Sequence, residues 1–115
     1  MGKKYDINSD YGSPYGLSKA CTNAYTIFLA KQNPNLKINS CTPGFIETDM
    51  TRHMAIYGGK TTAELGMKSP EQGASASVFL LIDNSVGSGY YYGSDCLRSP
   101  LDKYRSPGDP PYTGN

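Results

Sequence analysis

Residues 13–44, SPYGLSKACTNAYTIFLAKQNPNLKINSCTPG, decide how this chain is read. Ser13 offers a capping hydroxyl and Pro14 suits a first helical turn, so a helix is expected to start here. Leu17, Ala20, Cys21, Ala24, Ile27 and Phe28 follow at helical spacing and give it an apolar face. Asn33-Pro34 ends it, because proline disfavours the α conformation in the residue before it. The segment 36–42 then reads as a short strand running into a Pro43-Gly44 turn.

The first turn of that helix carries the chemistry. Tyr15 and Lys19 are four residues apart, which puts a phenol and an ammonium on one face. A free phenol titrates near about 10, too high for ready proton exchange at neutral pH. A cation fixed beside it favours the phenolate, and the tyrosine then becomes a usable general acid or base. Ser18, between the two, reads as a helix-face residue.

Outward from this stretch the signals alternate. Residues 45–68 are of mixed polarity around Gly58-Gly59 and read as a long loop with one short helix, the kind of segment that serves as a lid. Ser69-Pro70-Glu71-Gln72 is a capping box with proline at the first helical position. Ala74, Val78, Leu81 and Ile82 are expected to form the buried stripe of the helix it opens. Tyr90, Tyr91 and Tyr92 between glycines read as a second strand. Residues 1–12 are polar and without period, expected to be a loop or the end of an insertion. Residues 100–115 hold four of the eight prolines and read as an extended tail.

Composition excludes several classes. The 115 residues allow one modest domain, and 11 basic against 10 acidic residues leave a net charge of +1, with no basic stripe for nucleic acid. No apolar run approaches the about 20 residues that cross a bilayer, and Met1-Gly2-Lys3-Lys4 does not open a secretory leader. Cys21, Cys41 and Cys96 are odd in number and widely spaced, so they read as reduced thiols, at least two of them packed inside, and not as metal ligands. His53 has no ligand partner nearby in sequence, and Glu47 with Asp49 makes no convincing acid pair. A cytoplasmic protein is expected. With 37% hydrophobic residues the chain is lean for an independent core.

The run from Tyr15 to Thr51, YGLSKACTNAYTIFLAKQNPNLKINSCTPGFIETDMT, together with SPEQGA at 69–74 and GYYYGSD at 89–95, closely resembles the short-chain dehydrogenase/reductase family. The resemblance covers about residues 11–96. It is strongest toward the carbonyl reductase branch, which takes in the plant salutaridine and menthone reductases. It implies an α/β fold, the C-terminal half of a Rossmann-like doubly wound parallel sheet, here truncated to two strands and two main helices. All of 1–115 would be part of one NAD(P)-binding domain, with 97–115 its proline-rich tail. The implied activity is NADPH-dependent reduction of a ketone or aldehyde. By resemblance Tyr15 donates the proton, and Lys19 lowers its pKa and binds the nicotinamide ribose. Pro43 and Gly44 turn beside the nicotinamide, while the Ile46 backbone and the Thr48 side chain hold the carboxamide or the neighbouring phosphate. Segment 49–68 is the implied lid.

Other family features are not found in this sequence. Gly12-Ser13-Pro14-Tyr15-Gly16 does not have the spacing of the family's glycine-rich phosphate turn. The Asn-Ala-Gly segment and the serine that shares the carbonyl oxygen with the tyrosine are missing too. The expectation is therefore a fragment, inactive by itself, whose small-molecule carbonyl substrate is met in the intact, monomeric enzyme. The competing reading is a non-catalytic pseudoenzyme or an interaction half-domain that self-associates or pairs with a related subunit, motivated by a missing cofactor site beside intact helices that can still pack.

Overall fold

Two parallel strands joined through a helix set the frame. The computed structural model describes residues 13–101 and 105–114. The expectation for 1–12 lies outside the described residues. Helix α1 spans Ser13–Gln32, strand β1 Ser40–Cys41, α2 Arg52–Gly58, α3 Pro70–Ile82, β2 Tyr91–Tyr92 and β3 Arg98–Ser99. The sheet runs β1-β2-β3. Strand β2 pairs parallel to β1, Ser40 opposite Tyr91, and antiparallel to β3, Tyr91 opposite Ser99. A parallel pair needs a crossover connection, and α3 with its approach supplies it.

The fold is α/β as expected, with one strand more than the sequence reading counted, and α2 is the short helix expected within 45–68. Strand β3 falls inside 97–115. Its partner β2 turns into it through 93–97, where Gly93 N–H donates to Leu97 O (2.9 Å) and Cys96 takes a left-handed φ of 62°. The segment read as a tail is thus paired where it starts, and Tyr112 N–H returns to Arg98 O at 2.9 Å.

Local chemistry explains the element ends. The Ser69 hydroxyl accepts from Gln72 N–H and the Gln72 side chain accepts from Ser69 N–H, completing the capping box that starts α3. Helix α2 closes on Gly59, whose φ of 61° favours glycine, with its N–H on Ala55 O and Ile56 O. Strand β1 is shorter than the expected 36–42 because, among the described residues, the only backbone bond toward β2 before Ser40 is Gly89 N–H to Ile38 O (2.8 Å), and side chains make the rest. Ile38 N–H donates to the Ser88 hydroxyl (3.0 Å), and the Asn39 amide donates to Gly87 O (2.8 Å) and accepts from Tyr90 N–H (3.0 Å).

The core is small. Ile46, Ala55, Ala76, Val86 and Tyr92 are its buried apolar residues, and the Phe79 and Tyr92 rings meet with centroids 5.9 Å apart. The stripe expected on α3 is corrected: Ala74, Val78, Leu81 and Ile82 are exposed, and Gly73 and Ala76 are the buried positions. Gly73 faces Ile46, where a Cβ would come within 2.8 Å of the isoleucine side chain. The cysteine expectation is corrected too. All three thiols are free, but Cys21 is exposed and Cys41 and Cys96 are partly exposed.

Candidate functional site

An open cleft of about 630 Å³ lies where α1, the turn after β1 and the β2–β3 hairpin meet. Gly16 and Lys19 of α1 line it, with Thr42 and Gly44 after β1, Lys68 before α3, and Ser94 and Asp95 of the hairpin. Helix α1 is held against β1 by the Ser40 hydroxyl, which donates to Asn23 Oδ1 at 2.8 Å. That contact fixes the N-terminal turns of α1 beside the end of β1.

Tyr15 is on that first stretch, exposed, and its ring carries the Lys19 ammonium 5.3 Å from its centroid. The pair therefore meets as the four-residue spacing requires, within cation–π range. The Ser18 hydroxyl donates to Tyr15 O at 2.7 Å, a bond within its own helix. Lys19 lines the cleft, whereas Tyr15 stands beside it.

Gly44 lines the same cleft with a φ of 85°, a conformation for which glycine is suited. A Cβ there would stand 3.2 Å from Cβ and Oγ of Ser94, so the missing side chain also lets the hairpin approach. Pro43 is exposed and does not line the cleft. Ile46 is buried and bridges to Lys68 as a parallel pair: Lys68 N–H donates to Phe45 O and Glu47 N–H to Lys68 O, each at 2.9 Å. The Ile46 carbonyl accepts the Thr51 hydroxyl at 2.6 Å, while its N–H has no acceptor among the described residues. Thr48 is exposed, its N–H donating to Thr51 Oγ1 (2.9 Å) and its hydroxyl 3.1 Å from the same atom.

The structure thus brings Lys19 and Gly44 to one cleft, sets Tyr15 at its edge, and leaves Pro43, Ile46 and Thr48 off its wall. Glu47 clasps the segment that follows. Its carboxylate accepts from Thr62 Oγ1 (2.7 Å) and Arg52 Nε (3.4 Å), and these two bonds hold it below the ordinary carboxylate range.

Sequence reasoning missed four lining residues, Lys68, Ser94, Asp95 and Arg105. Lys68 Nζ reaches the Ser94 hydroxyl at 3.4 Å. Arg105 pairs with Asp95, both side chains largely buried. Burial opposes the Asp95 charge, but the Arg105 bond and the N–H groups of Gly108 and Leu97 outweigh it, and the carboxyl lies below its ordinary range. Lys68 and Arg105 lie 37 positions apart, and no local pattern ties them together. Among the described residues no group of acidic, histidine and cysteine side chains is arranged to hold a metal, and no helix is long and apolar enough to cross a membrane.

A parallel strand pair with a helical crossover, and a tyrosine–lysine turn beside its C-terminal end, define a piece of a Rossmann-like α/β domain. Comparison with known proteins gives it a family. Salutaridine reductase from Papaver bracteatum is 38% identical over 87 residues, covering 75% of this chain and 24% of that protein. (+)-Neomenthol dehydrogenase from Arabidopsis thaliana is 39% identical over 70 residues, 61% of this chain and 20% of that protein. Carbonyl reductase family member 4 from Danio rerio is 39% identical over 70 residues, 58% of this chain and 30% of that protein. The resemblance to the short-chain dehydrogenase/reductase family is borne out, and this chain has its relatives among oxidoreductases of that family. The chain spans about a quarter of the length of the salutaridine reductases it matches. No family model matches the chain, and no solved structure does.

Proposed function

We propose that this chain contributes the proton-transfer half of a reductase acting on a ketone or aldehyde. The observation that carries the reading is the Tyr15–Lys19 turn at the edge of a cleft that Lys19 and Gly44 share. A nicotinamide cofactor, NADPH by the branch resemblance, would supply the hydride. The residues suit its nicotinamide end. The Ile46 N–H, which has no acceptor among the described residues, would be a donor for a carboxamide oxygen, Pro43-Gly44 gives a turn without a side chain at 44, and Thr48 would offer a hydroxyl. Both Ile46 and Thr48 stand beyond the cleft wall. Lys19, in no ion pair among the described residues, is available to a ribose hydroxyl.

Tyr15 donates a proton from its phenol oxygen to the carbonyl oxygen, and Lys19 stabilises the phenolate left behind. Segment 49–68, clasped by Glu47, excludes water from the cleft. The activity belongs to the complete, cytoplasmic enzyme, a monomer. The 115 residues alone lack the phosphate turn and the partner serine and do not turn over. The test is NADPH oxidation by the purified chain with an aldehyde substrate. Turnover abolished by Tyr15→Phe overturns the inactivity of the isolated chain. A lengthened enzyme carrying this segment that keeps its rate on Tyr15→Phe overturns the role of Tyr15.

The second reading, a non-catalytic interaction half-domain, is favoured by exposed apolar side chains on both long helices. Leu17, Tyr25 and Phe28 of α1 and Val78, Leu81 and Ile82 of α3 are each about half exposed or more. Size-exclusion chromatography with an NADPH fluorescence titration separates the two. A stable assembly that ignores NADPH favours the interaction protein.

A further inference from the structure

The polar wall of the cleft is built for an anion. Among the described residues lining it, Lys19, Lys68 and Arg105 are positive and Asp95 is the one carboxylate. Arg105 and Asp95 neutralise each other, so among the described residues two ammonium groups remain without a carboxylate around one concavity. A cleft lined by one sign of charge concentrates ions of the other.

Lys68 is more than a surface lysine. Its backbone is pinned on both sides by the bridge to Phe45 and Glu47. Its ammonium meets the Ser94 hydroxyl, and no carboxylate pairs with it among the described residues. Ser94 can stand there because Gly44 has no side chain: a Cβ at 44 would come 3.2 Å from the Cβ and Oγ of Ser94. Three separate parts of the chain thus converge to place an ammonium and a hydroxyl side by side. Accepting a hydrogen bond from the ammonium leaves the hydroxyl its own proton to donate.

We propose that this cleft binds an oxyanion, a carboxylate or a phosphate, through Lys68 Nζ and the Ser94 hydroxyl, with Lys19 supplying the second positive charge. This site stands whether or not the chain takes part in hydride transfer. Losing a charge-assisted hydrogen bond of this kind weakens binding by about tenfold or more.

The experiment titrates the ¹⁵N-labelled full chain with inorganic phosphate, and separately with acetate, at constant ionic strength set by sodium chloride. Saturable shifts of the Gly44, Gly93 and Ser94 amides are expected, and the anion that binds more tightly identifies the ligand class. Lys68→Met should weaken binding by about tenfold, Lys68→Arg should keep it, and Lys60→Met, exposed and off the cleft, should leave it unchanged. Each variant's spectrum reports its own folding. Absence of saturable shifts with both anions overturns the proposal. So does equal loss in the folded Lys60 and Lys68 methionine variants, or loss in a folded Lys68→Arg.

Discussion

The β2–β3 hairpin and the two long helices satisfy themselves to opposite degrees. The hairpin end closes its own polar groups: Asp95 takes Arg105 and two backbone N–H groups, and Ser99, buried, takes Arg105 Nε at 3.1 Å. Arg98 lies with its guanidinium 3.8 Å above the Tyr90 ring. Helices α1 and α3 have sound ends and bare sides. Phe28 and Leu81 are 54% and 83% exposed, so their burial contributes little to this chain's stability. Polar chemistry finishes the hairpin end, whereas the helices leave apolar surface of the kind that marks an interaction face.

Breaking the hairpin end should cost most. Arg105→Ala leaves a largely buried Asp95 charge unpaired, and a loss of about 3 kcal/mol is expected in urea unfolding. The same pair sets an acid response. Asp95 is depressed below its ordinary value, so its contribution is complete above about pH 4 and drains away as pH falls through the lower folded value. Asp95→Asn should flatten the stability-against-pH curve in that acid window. An unchanged curve would place the control elsewhere.

Gly44→Ala comes next. It forces a left-handed φ on a residue with a Cβ and presses on Ser94, for about 1–2 kcal/mol and a distorted cleft amide spectrum. Ser69→Ala removes the hydroxyl of the α3 capping box and should cost about 1 kcal/mol, read as a lowered melting temperature. The smallest effect sharpens the comparison most. Leu81→Ser should change stability by under about 0.5 kcal/mol, and should lower self-association if the bare faces meet each other. A large loss of stability would mean that the α3 face is covered after all.

Much of this was legible in the sequence where local chemistry decides. Ser69-Pro70-Glu71-Gln72 places the start of α3 and Asn33-Pro34 the end of α1, because caps and proline act within a few residues. The Tyr15–Lys19 contact follows from helical spacing alone. The buried face of α3 was misread for a physical reason. Apolar periodicity names the face a helix offers to a partner, and here it is the small-residue strip at Gly73 and Ala76 that packs. Strand β3 was hidden by the prolines around it, and the joining of Lys68 to Ser94 depends on tertiary approach that no spacing encodes.

Gly73 has a consequence for how α3 is oriented. Successive residues of a helix point about 100° apart, so turning α3 by a single position would swing the side chain of Gln72 or Ala74 onto Ile46. One hydrogen atom at position 73 therefore acts as an index mark. It fixes the azimuth of a helix whose outer face touches little, and so decides in advance which way Val78, Leu81 and Ile82 are aimed at whatever meets them.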